Sequence, residues 1–312
     1  MHNDQLIAQE FQIDFREVFK VLIGGKNLIV GLSAFFAISS LIIALILPNQ
    51  YKSVAVLAPA HDSSGGIPAA FSQISGLASF AGVKIGAGSL SEAQIAHEIM
   101  NSWGFIETFI KDSNLEVAIY ASKGWDREKN SLIIDDDLYD IASQKWLIET
   151  DDGTRDPTSW ELYEKFSENI SVFSDSDSGL VSVSVVNYSP FVAKEQVDLF
   201  VAAINRHMQQ RKMAMINNSI EYLQEEIEKS SIAGMRQVLY TIIEEQIKSK
   251  MLSQATPEHT FVIVNPSMVP EEPSEPSRLL IIFLGTLLGL IISVLLVFIK
   301  NYQVGPKSKL LN

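Results

Sequence analysis

The sequence of 312 residues contains no cysteine. Any part of it that folds outside the cytosol does so without disulfides, which a chain of this length can manage by burying a core. The same absence removes thiol catalysis and thiolate metal sites. Histidine is scarce: His2, His61, His97, His207 and His259 are the only five, and none lies three or four residues from another. No two-histidine helical metal pair can form, and His97-Glu98 lacks the second histidine of an H-E-x-x-H site. Basic residues are outnumbered, 24 Lys and Arg against 37 Asp and Glu. That balance argues against nucleic acid as a partner and against bulk electrostatic binding to anionic lipid or sugar. Gly82, Gly86 and Gly88 have no G-K-[ST] after them and no buried strand before them, so there is no phosphate loop, and no G-x-S-x-G nucleophile elbow occurs. Asp135-Asp136-Asp137 reads as a solvated acidic turn, because adjacent carboxylates on a coil point apart and repel. Glu225, Glu226, Glu228, Glu244 and Glu245 read as the polar face of a helix. The expectation is a protein that is not an enzyme, with no catalytic residue, no metal and no cofactor.

What the sequence does have is two long uncharged apolar runs, Leu28 to Leu47 and Leu279 to Ile299. A helix of about 20 residues spans the roughly 30 Å hydrocarbon core, and in lipid only a helix satisfies its own backbone polar groups. A cleaved signal peptide does not fit the first run. Its apolar region is too long, 27 residues precede it, and Ile46-Leu47-Pro48-Asn49 lacks a small-residue cleavage site. Arg16, Lys20 and Lys26 precede the first run, and Lys300, Lys307 and Lys309 follow the second. The segment between them carries 18 basic and 33 acidic residues. Basic flanks stay in the cytoplasm, so both termini are expected there and the middle is expected to be translocated. The resulting division is a tail over 1–27, a span over 28–47, a translocated domain over 48–278, a span over 279–299 and a tail over 300–312. In the first tail Phe11, Phe15, Val18, Phe19 and Leu22 recur at helical spacing, which fits a surface-lying amphipathic helix or an extension of the span.

Within the domain, Tyr51–Leu57 alternates as a strand, and the Gly-, Ser- and Ala-rich stretch 63–89 reads as loop. Residues 91–112 open with Ser91-Glu92 as a helix start and keep Ile95, Ile99, Phe105 and Phe109 at helical spacing. The charged stretch 113–168 holds Trp125, Trp146 and Trp160 and ends in a short helix from Glu161. Ile170–Phe173, a polar turn ending in Gly179, and Leu180–Val186 form a hairpin. Pro190 stands at the first turn of a helical pattern that runs to about Ala255, interrupted at Ser230-Ser231 and Gly234. Ile216, Ile220, Leu223 and Ile227 form its packing stripe, with Met235, Leu239, Ile242 and Gln246 continuing it. One very long helix or a hairpin folded near Gly234 both fit, and the hairpin is preferred. Phe261–Val264 is a last strand. Pro266, Pro270, Pro273 and Pro276 then make an extended connector before the second span. The fold class is α+β: a membrane-proximal base over 48–189 and 256–278 with all four strands paired, and a long helical region over 190–255. In the second span Gly285 and Gly289 form a G-x-x-x-G pair that lets two helices approach closely, with Gly31, Ser33, Ser39 or Ser40 of the first span opposite.

The order of these features resembles the polysaccharide co-polymerases, the Wzz-type chain-length determinants of O-antigen and lipopolysaccharide. PNQYKSVAVLAP (48–59) resembles the family's exit strand. SPFVAKEQVDLFVAAINRHM (189–208) resembles its entry into the long helix, with Pro190, Ala193, Ile204 and Asn205 at matching positions. FVIVNPSMVPEEPSEPSRLLIIFLGTLLG (261–289) resembles its strand, proline connector and second span. Glu271, Glu272 and Glu275 make this connector more acidic than the family pattern. With Arg278 its only basic residue, the connector's charge argues against direct contact with lipid headgroups. The resemblance implies a non-catalytic protein of the bacterial inner membrane with a periplasmic domain. It implies a homo-oligomeric ring that works with an integral-membrane polymerase on a growing lipid-linked glycan and sets how many units the glycan receives. A C-terminal tail of about a dozen residues with one tyrosine, Tyr302, leaves no room for an attached kinase. The alternative is a two-span periplasmic sensory or scaffold protein that signals through a separate partner, since the two tails are too short for an output module of their own. A membrane-tethered hydrolase would need a site that the sequence does not show.

Overall fold

The computed structural model describes residues 21–60, 91–150, 153–255 and 260–304. The glycine-rich stretch 63–89, the C-terminal end of the second tail and most of the amphipathic N-terminal stretch lie outside these residues. The chain divides into two compact units, one made of Met1–Asn49 with Ser274–Asn312 and one of Gln50–Pro273.

The first unit is a pair of helices, α1 (Lys26–Ile46) and, at the end of the chain, α8 (Arg278–Val304). Their apolar windows have mean hydropathies of 2.6 and 3.0. Only Ser40 and Ala44 of α1 are buried, while Ile46 and Leu279 are 75% and 85% exposed. Helices that greasy and that bare do not belong to a water-soluble core. They fit a two-span membrane protein.

The second unit is built on a four-stranded sheet in the order β10-β1-β9-β8. Its strands are β1 (Tyr51–Pro59), β8 (Ile170–Ser174), β9 (Val181–Asn187) and β10 (Phe261–Asn265), all antiparallel to their neighbours. Ala55, Leu57, Val181, Val183, Val185 and Phe261 supply the buried face. The β8–β9 turn closes through Gly179, whose φ of +70° suits glycine. Asp175 accepts from the amide of Asp177 and the hydroxyl of Ser178 within it.

Short helices cover the sheet. The helical pattern over 91–112 is two helices, not one: α2 (Glu92–Met100) and α3 (Trp103–Asp112). The physical reason is Ser102, whose hydroxyl accepts from the Phe105 amide and caps a new helix. Phe105 and Phe109 of α3 still pack into the core. α4 (Glu116–Tyr120) follows. The stretch read only as charged and mixed contains three small hairpins, β2–β3 (Ser122–Asp126, Ser131–Ile134), β4–β5 (Tyr139–Asp140, Lys145–Trp146) and β6–β7 (Ile148–Thr150, Gly153–Arg155). α5 (Ser159–Asn169) starts at a capping box between Thr158 and Glu161.

α6 (Pro190–Lys229) has 40 residues, about 60 Å at the helical rise. Pro190 occupies its first turn, and the Ser189 hydroxyl accepts from the Val192 amide. Its first half is buried in the base through Ala193, Val197, Phe200, Val201, Ile204 and Met208. Beyond Met208 only Ile216 and Ile227 are buried. The chain then folds back at Ser230–Ile232 into α7 (Ala233–Ala255). Of the two arrangements compatible with the sequence, the hairpin is the one found, with its turn just before Gly234.

Candidate functional site

No cluster of His, Asp and Glu able to hold a metal occurs among the described residues. Asp135 accepts from the Asp137 amide and from Lys123 Nζ, which hold its carboxyl below the ordinary range. It is thus an ionised turn residue. His207 stands edge-on to Phe105 at 5.4 Å, a packing role. The surfaces with functional promise are the paired spans, the proline connector and the helical hairpin.

In the spans, a Cβ on Gly285 would lie 2.4 Å from Ser40 Cβ, and one on Gly289 would lie 2.5 Å from Phe36 Cβ. Only glycine tolerates that approach. Gly25 is similarly pressed against Val297. The glycine pair thus receives a ridge made by Phe36 and Ser40, whereas Gly31 has nothing within 4 Å. Ser40 was among the expected partners. Phe36 was not, because a small-residue pair shows where a groove is and not which side chain enters it. Ser40 Oγ donates to its own helix at Ala37 O, and Thr286 and Ser293 do the same at Ile282 O and Leu290 O. These hydroxyls need no partner on the other helix.

From Pro266 to Ser277 the connector has neither helix nor extended strand. Its beginning is pinned to the base: Ser267 Oγ donates to Asp198, and Ser53 Oγ donates to Met268 O at 2.8 Å. Pro270 and Pro276 are half-buried and Pro273 is exposed, and Glu271, Glu272 and Glu275 face solvent. Arg278 Nη2 donates to Asn49 Oδ1 at 2.8 Å, tying the entry of α8 to the exit of α1.

Along the hairpin Ile216 and Ile227 are buried, and Ile220 and Leu223 are half-buried. On α7 Ile243 and Ser253 are buried and Leu239, Ile242 and Gln246 are half-buried, so the expected stripe lies on the inner side except for Met235, which is exposed. Two polar ties hold the arms: Gln209 Nε2 donates to Ser253 O at 2.6 Å and Lys250 Nζ to Asn217 Oδ1 at 2.8 Å. Tyr222, Ile232, Val238, Tyr240, Met251 and Leu252 of the hairpin are exposed.

Asn205 is a buried amide on the apolar face of α6. Its Nδ2 donates to Phe261 O at 3.0 Å, and its Oδ1 accepts from the amides of Phe261 at 2.9 Å and Thr260 at 3.3 Å. It serves the backbone of β10 as a partner strand would and couples the long helix to the returning strand. The residues matched to a known helix entry all have structural work: Pro190, Ala193 and Ile204 are buried as well.

Two family models match. The one described as Wzz, chain length determinant protein, covers residues 11–113, and the one described as GNVR, G-rich domain on putative tyrosine kinase, covers residues 229–302. A comparison with curated proteins found no match. Among solved structures, the chain is similar to a full-length bacterial polysaccharide co-polymerase at 12% identity and a TM-score of 0.36, over 93% of this chain and 98% of the other. It is also similar to a fragment of WzzB, a polysaccharide co-polymerase from Salmonella Typhimurium, at 13% identity and a TM-score of 0.27, over 73% of this chain and 100% of the other. The chain-length-determinant match thus runs through the first span and β1 to the end of α3, and the second match takes in α7, β10, the proline connector and most of the second span.

Proposed function

We propose that this protein is a non-catalytic, oligomeric regulator of the chain length of a surface polysaccharide of O-antigen type, acting beside an integral-membrane polymerase on a growing lipid-linked glycan. α1 and α8 lie in the inner membrane, both termini are cytoplasmic, and the domain over 48–278 is periplasmic. Its base is formed by 48–189 and 256–278, and its helical arm by 190–255. The observation that carries the reading is the chain-length-determinant match over residues 11–113, which takes in the first span, the exit strand β1 and the first helices of the base. Two features of the molecule support it. The glycine-mediated pairing of α1 with α8 makes a single membrane anchor, and the apolar outer surface of the hairpin suits contact with further copies. A scaffold of this kind sets length through geometry and needs no acid, base or nucleophile.

Deleting the gene in its own host and resolving the surface polysaccharide on a silver-stained gel tests the proposal. The expected result is loss of the modal band cluster, restored by the intact gene in trans. A ladder that keeps its mode without the protein overturns it.

A further inference from the structure

The sheet ends in two strands that each have one neighbour among the described residues, β10 on one side and β8 on the other. A free strand edge presents unpaired N–H and C=O groups, and proteins usually blunt it with lysine, proline or inward charge. Neither edge here is blunted in that way: β10 reads FVIVN and β8 reads ISVFS. Both also show apolar side chains, with Val262 and Ile263 41% exposed, Val264 58% and Phe173 63%. Asn205 already serves the Phe261 amide and carbonyl, so the available length of β10 begins at Val262.

Strand direction and face point to the occupant. Every pairing in the sheet is antiparallel, so β10 and β8, at opposite ends of four alternating strands, run in opposite directions. Setting β8 of one copy beside β10 of the next therefore continues the antiparallel ladder. The faces agree as well. Phe173 lies opposite Ser182, which lies opposite Val56, and Val262 lies opposite Ala58. By alternation from the buried Leu57, both Phe173 and Val262 stand on the side away from the core. An aromatic beside a β-branched residue is a favourable cross-strand neighbour. A like-with-like contact, β8 on β8 or β10 on β10, stops at a dimer and leaves the other edge bare. The β8-to-β10 contact covers both edges with one interface and repeats head to tail, as a closed ring requires.

We propose that neighbouring copies of this chain join through β8 and β10, making one continuous antiparallel sheet around the oligomer. The inference rests on the oligomeric reading above and names the surface that builds it.

The absence of native cysteine makes the test clean. Full-length chain in membranes would carry Phe173→Cys together with Val262→Cys, and in a second variant Phe173→Cys together with Val264→Cys to allow for register. Mild oxidation should convert most of at least one of these into a reductant-sensitive ladder of multimers, because facing Cβ atoms on neighbouring strands come within disulfide reach. Each single-cysteine variant should stay monomeric on a denaturing gel. So should a control pair on other exposed positions, Trp160→Cys with Ile141→Cys. Dimers from a single-cysteine variant, or an equal ladder from the control pair, overturn the proposal. Native mass of the same detergent-solubilised samples separates the two failures. An oligomer without a ladder removes the strand contact and leaves the oligomer standing, whereas a monomer removes both.

Discussion

Glu161 shows how much local structure one carboxylate organises. It accepts two bonds from the Arg155 guanidinium, at 2.6 and 2.7 Å, and one from the Thr158 amide at the start of α5. Arg155 first, and the Thr158 amide second, hold its pKa at about 2. An unfolded glutamate titrates near 4.3, so the folded state binds this proton less readily than the unfolded one. The stabilisation is complete above roughly pH 5 and is lost as the pH falls toward 2. Glu161→Gln should therefore melt below the native chain at pH 7, and the gap should narrow by pH 3. A gap that stays constant with pH would assign the effect to packing alone. Asn205 is the second such residue. Asn205→Ala leaves the Phe261 amide and carbonyl unmatched in a buried place, a loss of about 1–3 kcal/mol. The expected readout is a lower melting temperature together with faster amide exchange across Val262–Asn265. Unchanged exchange in those residues would mean that β10 is held without it.

At the scale of elements, the glycine pair of α8 makes a sharper case than its sequence motif alone. A methyl group on Gly285 meets Ser40, and one on Gly289 meets Phe36. Gly285→Ala should destabilise the detergent-solubilised chain, and Ser40→Gly should rescue that variant because it removes both atoms in conflict. The same Ser40→Gly change should leave Gly289→Ala unrescued. Equal rescue of both would show that the helices shift as a body and that no specific ridge enters the groove. Elements like these were legible where one local signal dominated. Strand alternation, the Asp-Ser turn ending in Gly179 and Pro190 at a helix start each mark their element in a few residues. The break at Ser102 was not legible, because Ile95, Ile99, Phe105 and Phe109 keep helical spacing across it and only the cap hydroxyl reveals it. The small hairpins between Ser122 and Arg155 escaped because strands of two to five residues carry too short a pattern. On α7 Leu239, Ile242 and Gln246 keep to the inner side as their spacing indicates, and Ile243 beside them is buried, while Met235, close to the turn at Ser230–Ile232, is exposed.

For the whole molecule, the order of signals along the chain was readable from two uncharged runs and the charge that flanks them, while the contacts proposed between copies were not, since a single sequence holds no record of what its outer surfaces meet. Everything assigned to the domain over 48–278 depends on its side of the membrane, and basic residues near the span ends argue for translocation of the acidic middle. A chain without cysteine permits a direct test. Ser178, exposed in the β8–β9 turn, can be changed to cysteine, and Ser308 in the C-terminal tail can be changed in a second variant. In intact cells whose outer membrane is made leaky, a thiol reagent that cannot cross a bilayer should label Ser178→Cys and should reach Ser308→Cys only after the inner membrane is broken. The opposite pattern would put the acidic body in the cytosol, where a lipid-linked glycan growing on the far side could not meet it. Labelling of both in intact cells would mean that only one of the two helices spans. Either result removes the physical basis for regulation by a periplasmic scaffold, because a ring can measure a polymer only from the side on which the polymer grows.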